Sequence, residues 1–186
     1  MGGYCRHLGD IFNNMTATNA RLCAQLLQYK RYHHQQTNVR IHMIFIPTIL
    51  CSTVCILHRV PLGCGITLAH LFSIAYSLYY ISLCLLPGLL ASSLFILLLW
   101  ALDEKRIHFS FYTEAGLFVL GWVAQFIGHG FFEHRKPALL DNLVQSLVAA
   151  PYFVLFELLF KLGFFAELKV DLESEIVASR KTLSND

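Results

Sequence analysis

The stretch VPLGCGITLAHLFSIAYSLYYISLCLLPGLLASSLFILLLWAL, residues 60–102, contains no Asp, Glu, Lys or Arg. A helix that crosses a membrane needs about 20 consecutive apolar residues, so this stretch is long enough for two crossings. We predict that the crossings are divided near Pro87 and Gly88, because proline and glycine interrupt helices. Two adjacent spanning helices already indicate an integral membrane protein.

Further apolar segments lie on both sides of this stretch. Residues 41–57 precede it, residues 115–132 follow the polar stretch 103–114, and residues 143–165 form the last segment. Only 14% of all residues are charged and 56% are hydrophobic, whereas an ordinary soluble domain carries about a quarter charged residues. The composition excludes a soluble globular protein. We predict an all-α fold, a polytopic membrane helical bundle of four or five spans.

The chain is expected to have three parts. Residues 1–18 are polar and are predicted to form a flexible tail, residues 19–166 a single transmembrane helical domain, and residues 167–186 a charged C-terminal tail. The domain is predicted to open with a helix from Ala20 to His34, capped by Asn19, that lies in the membrane interface. Arg and Lys strongly outnumber Asp before the first span, so the positive-inside rule puts the N-terminus in the cytosol.

Histidines occur in two clusters near the predicted membrane boundaries. The first cluster is YHHQQTNVRIH at residues 32–42, and the second is GHGFFEH at residues 128–134. With five spans, four crossings separate the two clusters. Because four is an even number, both clusters lie at the cytosolic boundary and could form one metal site. Imidazole suits iron, zinc, copper and nickel, so the histidines alone do not select the ion.

The spacing in the first cluster limits how its histidines can meet. On a straight helix, His34 and His42 would lie about 12 Å apart, at about 1.5 Å per residue, and could not share an ion. A turn at residues 35–38 would bring them together, and Asn38 could then cap the next helix.

The second cluster has a more compact arrangement. His129 and Glu133 are four residues apart and share one face of a helix. Gly128 and Gly130 flank His129 and leave room for a ligand or a neighbouring helix to approach the backbone. The second cluster can therefore contribute a histidine and an acid to the same site.

A simpler interpretation of these polar residues stays open. Histidines at membrane boundaries often serve only as amphipathic anchors. Glu157 and Lys161 in the last apolar segment are four residues apart, and we expect them to form a structural ion pair.

Several known kinds of site are missing from the sequence. It has no glycine-rich phosphate loop, no GxSxG motif and no HExxH motif,. The three histidine boxes of membrane desaturases and hydroxylases are also absent. No motif indicates an organic cofactor, and a net charge of +2 gives no reason to expect a nucleic-acid partner,.

The two clusters together resemble the fungal 2-hydroxy fatty acid dioxygenase family. The first similar pattern is YHH-x3-N-x3-H from Tyr32 to His42, followed by Pro47. The second is GHG-x2-E-x3-PAL-x-DN from Gly128 to Asn142. The resemblance covers about residues 20 to 170 and includes the order and length of the apolar segments.

The resemblance implies an Fe(II)-dependent enzyme that spans the endoplasmic reticulum membrane several times. Such enzymes convert a 2-hydroxy long-chain fatty acid and dioxygen into the fatty acid one carbon shorter, in the breakdown of phytosphingosine. Carried onto this chain, the resemblance gives as iron ligands His33 or His34, His42 and His129. Glu133 matches the acid of the motif and is expected to be a ligand or an orienting partner. We further expect Asn38 to be catalytic, and Arg40, Arg135 or Lys136 could pair with the substrate carboxylate.

Two other functions are compatible with the same residues. The chain could be a non-catalytic membrane protein, such as a lipid-handling or scaffold subunit, whose histidines are boundary anchors. It could also be a zinc hydrolase that acts on lipids. The non-catalytic protein would hold no catalytic metal, and the hydrolase would consume no oxygen.

Overall fold

The computed structural model describes residues 16–33, 35–133 and 143–183, most of which are helical. In chain order, the elements are α1 (Thr16–Tyr32), α2 (Gln36–His58), β1 (Pro61–Gly63), β2 (Ile66–Thr67), α3 (Leu68–Leu83), α4 (Leu85–Asp103), α5 (Phe111–Ile127), a π-helix (Gly128–Glu133), α6 (Leu143–Lys161) and α7 (Ala166–Leu183). The prediction of an all-α membrane helical bundle is confirmed.

Three of the described helices are long and apolar enough to cross a membrane: α2, α4, and α5 together with most of the π-helix. The pair α6 and α7 counts as a fourth candidate if it forms one broken span, with a bend of 111°. Helix α3 is apolar, but its 16 residues are fewer than the roughly 20 that a straight crossing needs. Length and composition thus support three or four spans, where four or five were predicted.

A β-hairpin occupies the start of the charge-free stretch and explains why α3 is short. Strands β1 and β2 pair antiparallel, with Pro61 opposite Thr67. Between the strands, Cys64 and Gly65 have φ angles of 51° and 75°, the left-handed conformation that a tight hairpin turn requires. The hairpin uses residues that a full-length α3 would have needed.

Helices α3 and α4 are separated at Cys84 and not at the predicted Pro87 and Gly88. Cys84 is extended, with φ −160° and ψ 125°, and it both ends α3 and precedes α4. Pro87 falls in the first turn of α4, where its missing N–H breaks no helical hydrogen bond. Gly88 permits the close return of the chain, because a Cβ there would lie 2.5 Å from the Cα of Ile81.

Aromatic residues join α3 to α6 in the interior of the bundle. The rings of Tyr80 and Tyr152 stack with their centroids 4.5 Å apart. The Tyr80 hydroxyl donates to the carbonyl of Val148 at 2.8 Å, and the Tyr152 hydroxyl donates to the carbonyl of Tyr80 at 3.2 Å. These bonds satisfy two phenol groups that are surrounded by apolar side chains.

The outer faces of α4 and α5 are apolar and exposed, as contact with lipid requires. Their large exposed side chains include Leu94, Ile96, Leu97, Trp100, Val119, Leu120 and Val123. In water such a surface would drive aggregation. The exposed apolar surface therefore agrees with the membrane bundle predicted from the composition.

The predicted N-terminal helix is present as α1 and packs within the bundle. It begins at Thr16, so the predicted cap Asn19 lies inside the helix. Its apolar face is buried in one cluster with two leucines of α7: Leu22, Leu26, Leu168 and Leu172. Its placement in the membrane interface, and the division of the chain into two tails and one domain, stay predictions.

An ion pair joins α1 to α6 inside the bundle. The Nζ of Lys30 contacts Oε1 of Glu157, and both side chains are largely buried. The predicted pair between Glu157 and Lys161 is wrong, since Lys161 is exposed and its Nζ lies 2.9 Å from Sδ of Met43. A buried carboxylate needs its cation at the same depth, and Lys30 provides it from the neighbouring helix.

Helix α2, which contains His42, packs closely against helix α5, which directly precedes the segment that contains His129. At Gly121 of α5, a Cβ would lie 2.5 Å from Cγ1 of Ile49. Directly after α2, Arg59 forms a bidentate ion pair with the buried Glu114 in the first turn of α5, with N–O distances of 2.6 Å and 2.8 Å. The hydrogen bonds to Glu114 raise the pKa of Arg59. This pair fixes the end of α2 to the start of α5.

We expect the substitution Glu114→Ala to lower the melting temperature of the detergent-solubilised protein by several degrees. It removes the acceptor for both prongs of Arg59 and leaves the start of α5 unanchored. The matched control is Glu104→Ala, which removes an exposed glutamate at the end of α4. Equal melting temperatures for the two variants would contradict an anchoring role for Glu114.

Candidate metal centre

The break between α1 and α2 brings the first histidine cluster into a compact arrangement. Helix α1 ends at Tyr32 and α2 begins at Gln36, so the break comes earlier than the predicted turn at 35–38. The side-chain oxygen of Gln35 caps α2 and accepts from the N–H groups of Thr37 and Asn38. The prediction that Asn38 is the cap is therefore wrong. Glutamine is not among the usual N-cap residues, so the sequence did not indicate it.

His129 lies in the π-helix that continues α5. A π-helix has i→i+5 hydrogen bonds, is rare, and often occurs at functional sites. Gly128 begins this segment and packs directly on α2, because a Cβ there would lie 2.3 Å from Oδ1 of Asn38. Only glycine allows this approach of the two helices. The glycines were predicted to leave room beside His129 for a ligand or a neighbouring helix, and at Gly128 a neighbouring helix, α2, occupies that room.

Three histidines converge in the interior: His33, His42 and His129. The Nε2 of His42 lies 3.1 Å from Nε2 of His33 and 3.2 Å from Nε2 of His129. All three side chains are buried, with exposed fractions of 8% or less. The two predicted clusters therefore meet, and His33 takes the position that the sequence left open between His33 and His34. His34 lies outside the described residues.

Backbone carbonyls determine the protonation of two of these rings. The Nδ1–H of His33 donates to the carbonyl of Tyr29 at 2.9 Å, and the Nδ1–H of His42 donates to the carbonyl of Asn38 at 2.9 Å. A carbonyl only accepts, so Nδ1 carries the hydrogen and Nε2 of the neutral ring presents a lone pair. Two lone pairs 3.1 Å apart repel each other unless a cation lies between them.

The donor set fits a metal ion better than a proton. One proton can bridge only two nitrogens, whereas a metal ion engages all three. Nitrogen ligands about 2.1 Å from an ion lie about 3.0 Å apart at right angles and about 3.4 Å apart in a tetrahedron, and the measured 3.1 Å and 3.2 Å fall in this range. Metal-binding histidines usually donate their other N–H to a carbonyl or carboxylate, as His33 and His42 do.

Tyr29 supports the centre in a way that the sequence analysis missed. Its ring stacks on His33, with centroids 4.2 Å apart and planes 19° apart, and its carbonyl accepts from the same imidazole. The available signal was the spacing, because a residue four positions before a histidine on a helix lies directly beneath it. Tyr29 thus fixes both the plane and the tautomer of His33.

The predicted catalytic residues occupy different positions relative to the centre. Asn38 is fully buried and adjoins it through its carbonyl contact with His42. Arg40 is exposed and lies about 200° around α2 from His42, at about 100° per residue, so the structure does not bring it to the histidines. Glu133 ends the π-helix. The catalytic roles of all three stay predictions.

We expect Gly128→Ala to weaken metal binding by about 10- to 100-fold, because the added methyl group pushes the π-helix away from Asn38 and separates His129 from His42. The matched control is Gly130→Ala in the same segment, where no described atom lies within 4 Å of the added Cβ. Metal content after equilibrium dialysis measures the difference. Full metal binding by Gly128→Ala would show that the close approach is dispensable.

The chain is similar to known proteins over most of its length. Residues 20–162 match the family model for 2-hydroxy-palmitic acid dioxygenase Mpo1-like proteins. The chain is 52% identical over 162 residues to the 2-hydroxy-palmitic acid dioxygenase MPO1 of Saccharomyces cerevisiae, covering 87% of this chain and 93% of the yeast protein. No solved structure matches it significantly. The matched region contains all three converging histidines, and the chain belongs to the 2-hydroxy-palmitic acid dioxygenase Mpo1-like family.

Proposed function

We propose that this chain is an Fe(II)-dependent dioxygenase that converts 2-hydroxy long-chain fatty acids and dioxygen into fatty acids one carbon shorter. The observation that carries the proposal is the convergence of three histidine Nε2 atoms, two of them held as lone-pair donors by backbone carbonyls. The name of the yeast relative supports the substrate class, and the apolar bundle suits a substrate that is dissolved in the membrane.

The proposed reaction balances without an external reductant. Conversion of a 2-hydroxy acid into the acid one carbon shorter releases four electrons and one CO2, and one dioxygen accepts these electrons and ends as water and product oxygen. Fe(II) at the three histidines would supply open coordination positions for the oxygen atoms of the reactants. The histidines keep their Nε2 atoms directed to one point because Tyr29 and Asn38 hold two of the rings.

An open apolar groove on exposed residues of α5 and the π-helix offers an apolar surface for the acyl chain of the substrate. Its volume is about 650 Å³, and its lining residues are Val123, Phe126, Ile127, Gly130 and Phe131. The groove follows the same turns of α5 and the π-helix that carry His129. Arg40 and Glu133 stay candidates for binding the carboxylate and for orienting a ligand, respectively.

The proposed location is the endoplasmic reticulum membrane, with the metal centre at the cytosolic boundary. The basic residues before α2 favour a cytosolic N-terminus. The start of α2 and the π-helix then lie on the cytosolic side, and the β-hairpin lies on the lumenal side. A cytosolic centre would take 2-hydroxy acids from the cytosolic leaflet.

The first test measures iron, oxygen uptake and product together on protein purified in detergent. With Fe(II) and 2-hydroxypalmitate, we expect oxygen-dependent formation of pentadecanoate, and we expect His42→Ala or His129→Ala to abolish both bound iron and product. The control is His108→Ala, which removes an exposed histidine in the loop before α5. It should retain iron and activity.

Two outcomes would overturn the proposal. Zinc-supported hydrolysis of an ester or amide lipid, with no oxygen uptake and no pentadecanoate, would favour the lipid hydrolase. No bound metal and full function in cells after removal of His42 and His129 would favour the non-catalytic membrane protein.

The proposed orientation can be tested with a membrane-impermeant maleimide on sealed microsomes. Cys64 lies in the exposed hairpin turn, so a variant that keeps Cys64 as its single cysteine should be labelled only after detergent opens the vesicles. A variant that keeps only Cys5, in the N-terminal region, should be labelled in intact vesicles. The reverse pattern would place the metal centre on the lumenal side.

A further inference from the structure

Gln125 is a buried polar residue on α5 that the three-histidine cluster does not include. Its exposed fraction is 7%, and its Nε2 has no hydrogen-bond partner among the described residues. Burying an amide N–H group without an acceptor is costly, so nearly all such groups in folded proteins have a partner. A buried donor of this kind can bond an acceptor that a bound molecule supplies.

The packing of two glycines of α5 shows which part of α2 the neighbouring Gln125 faces. The two contacts are Gly121 against Ile49 and Gly128 against Asn38. Because the α2 partner moves toward lower numbers as α5 proceeds, the two helices run antiparallel. Gln125 lies between Gly121 and Gly128 in the sequence. It therefore faces the middle of the α2 segment between Asn38 and Ile49, and this segment contains His42.

His129 lies just beyond Gln125 on the same side of α5. The two residues are four apart, so their side chains lie one above the other, and both are buried,. Gln125 is thus placed next to the metal centre, on the membrane-interior side of His129.

The chemistry of Gln125 complements that of the histidines. The Nε2 atoms of His33 and His42 present lone pairs, so these atoms cannot donate a hydrogen bond to an incoming oxygen,. The carboxylate and the 2-hydroxyl oxygen of a 2-hydroxy acid both accept hydrogen bonds. An amide N–H beside the histidines supplies the donor that such a head group requires.

We propose that the Gln125 side-chain amide donates a hydrogen bond to the carboxylate or the 2-hydroxyl oxygen of the substrate and so helps to select 2-hydroxy acids. This inference rests on the proposed function, because that function supplies the substrate. Gln125 is then a substrate-binding residue and not a metal ligand, which separates its effects from those of the histidines.

The test is anaerobic equilibrium binding of 2-hydroxypalmitate and of palmitate to the Fe(II)-loaded protein in detergent. We expect Gln125→Leu and Gln125→Met to keep wild-type iron content and to weaken 2-hydroxypalmitate binding by about 10-fold, the usual effect of one buried hydrogen bond to a charged or polar group. The matched control is Ser73→Ala, which removes another buried polar atom without a described partner, on α3. It should leave binding unchanged.

Palmitate identifies which oxygen accepts the bond. If Gln125 donates to the 2-hydroxyl, palmitate binding is the same in the wild type and both variants, and the preference for the 2-hydroxy acid falls. If Gln125 donates to the carboxylate, both acids bind more weakly. If both acids bind unchanged to variants with full iron content, the inference is overturned. If the wild-type protein itself does not bind 2-hydroxypalmitate, the proposed function is overturned.

Discussion

The mutual repulsion of histidine lone pairs is the constraint on which the rest of this structure depends. Two backbone carbonyls hold His33 and His42 in the tautomer that directs their Nε2 lone pairs at each other across 3.1 Å. This arrangement is stable only with a cation between the rings. The break between α1 and α2, the π-helix and the glycine contact at Gly128 all serve to bring nitrogens from distant parts of the chain to one point. The irregular features of the bundle thus produce the convergence of the three histidines.

Helices α2 and α5 form the frame that holds this point in place. At one end Arg59 and Glu114 form a two-pronged ion pair, and at the other end Gly128 lies against Asn38. A helix pair that is fixed at both ends cannot slide, and a shift of one turn would move His129 about 5.4 Å along α2. Helix α1 adds the third histidine from the side, and its Lys30 pairs with Glu157 of α6. The bundle therefore fixes each histidine through a different packing contact.

The sequence was enough to predict the membrane bundle and most of the centre, because long charge-free stretches and clustered histidines are direct chemical signals. The prediction that His42 and His129 could meet followed from counting four apolar segments between them, and the two residues do meet although α3 is short for a straight crossing. The errors concern short-range competition between alternatives. Gln35 caps α2 in place of Asn38, and Lys30 pairs with Glu157 in place of Lys161. Such choices depend on depth and on partners from other helices, which spacing along one helix does not contain. The π-helix and the stacking of Tyr29 on His33 are likewise set by packing.

The three converging residues are all histidines, and this has a consequence for charge. Neutral imidazoles contribute no negative charge, and the three ligand atoms that converge all belong to histidines. A divalent ion in this ligand set keeps two uncompensated positive charges in surroundings of low polarity, which is unfavourable. An anionic carboxylate supplied by a bound fatty acid would restore neutrality. Acid and metal are then counter-ions of each other, so each should be held more firmly when the other is present.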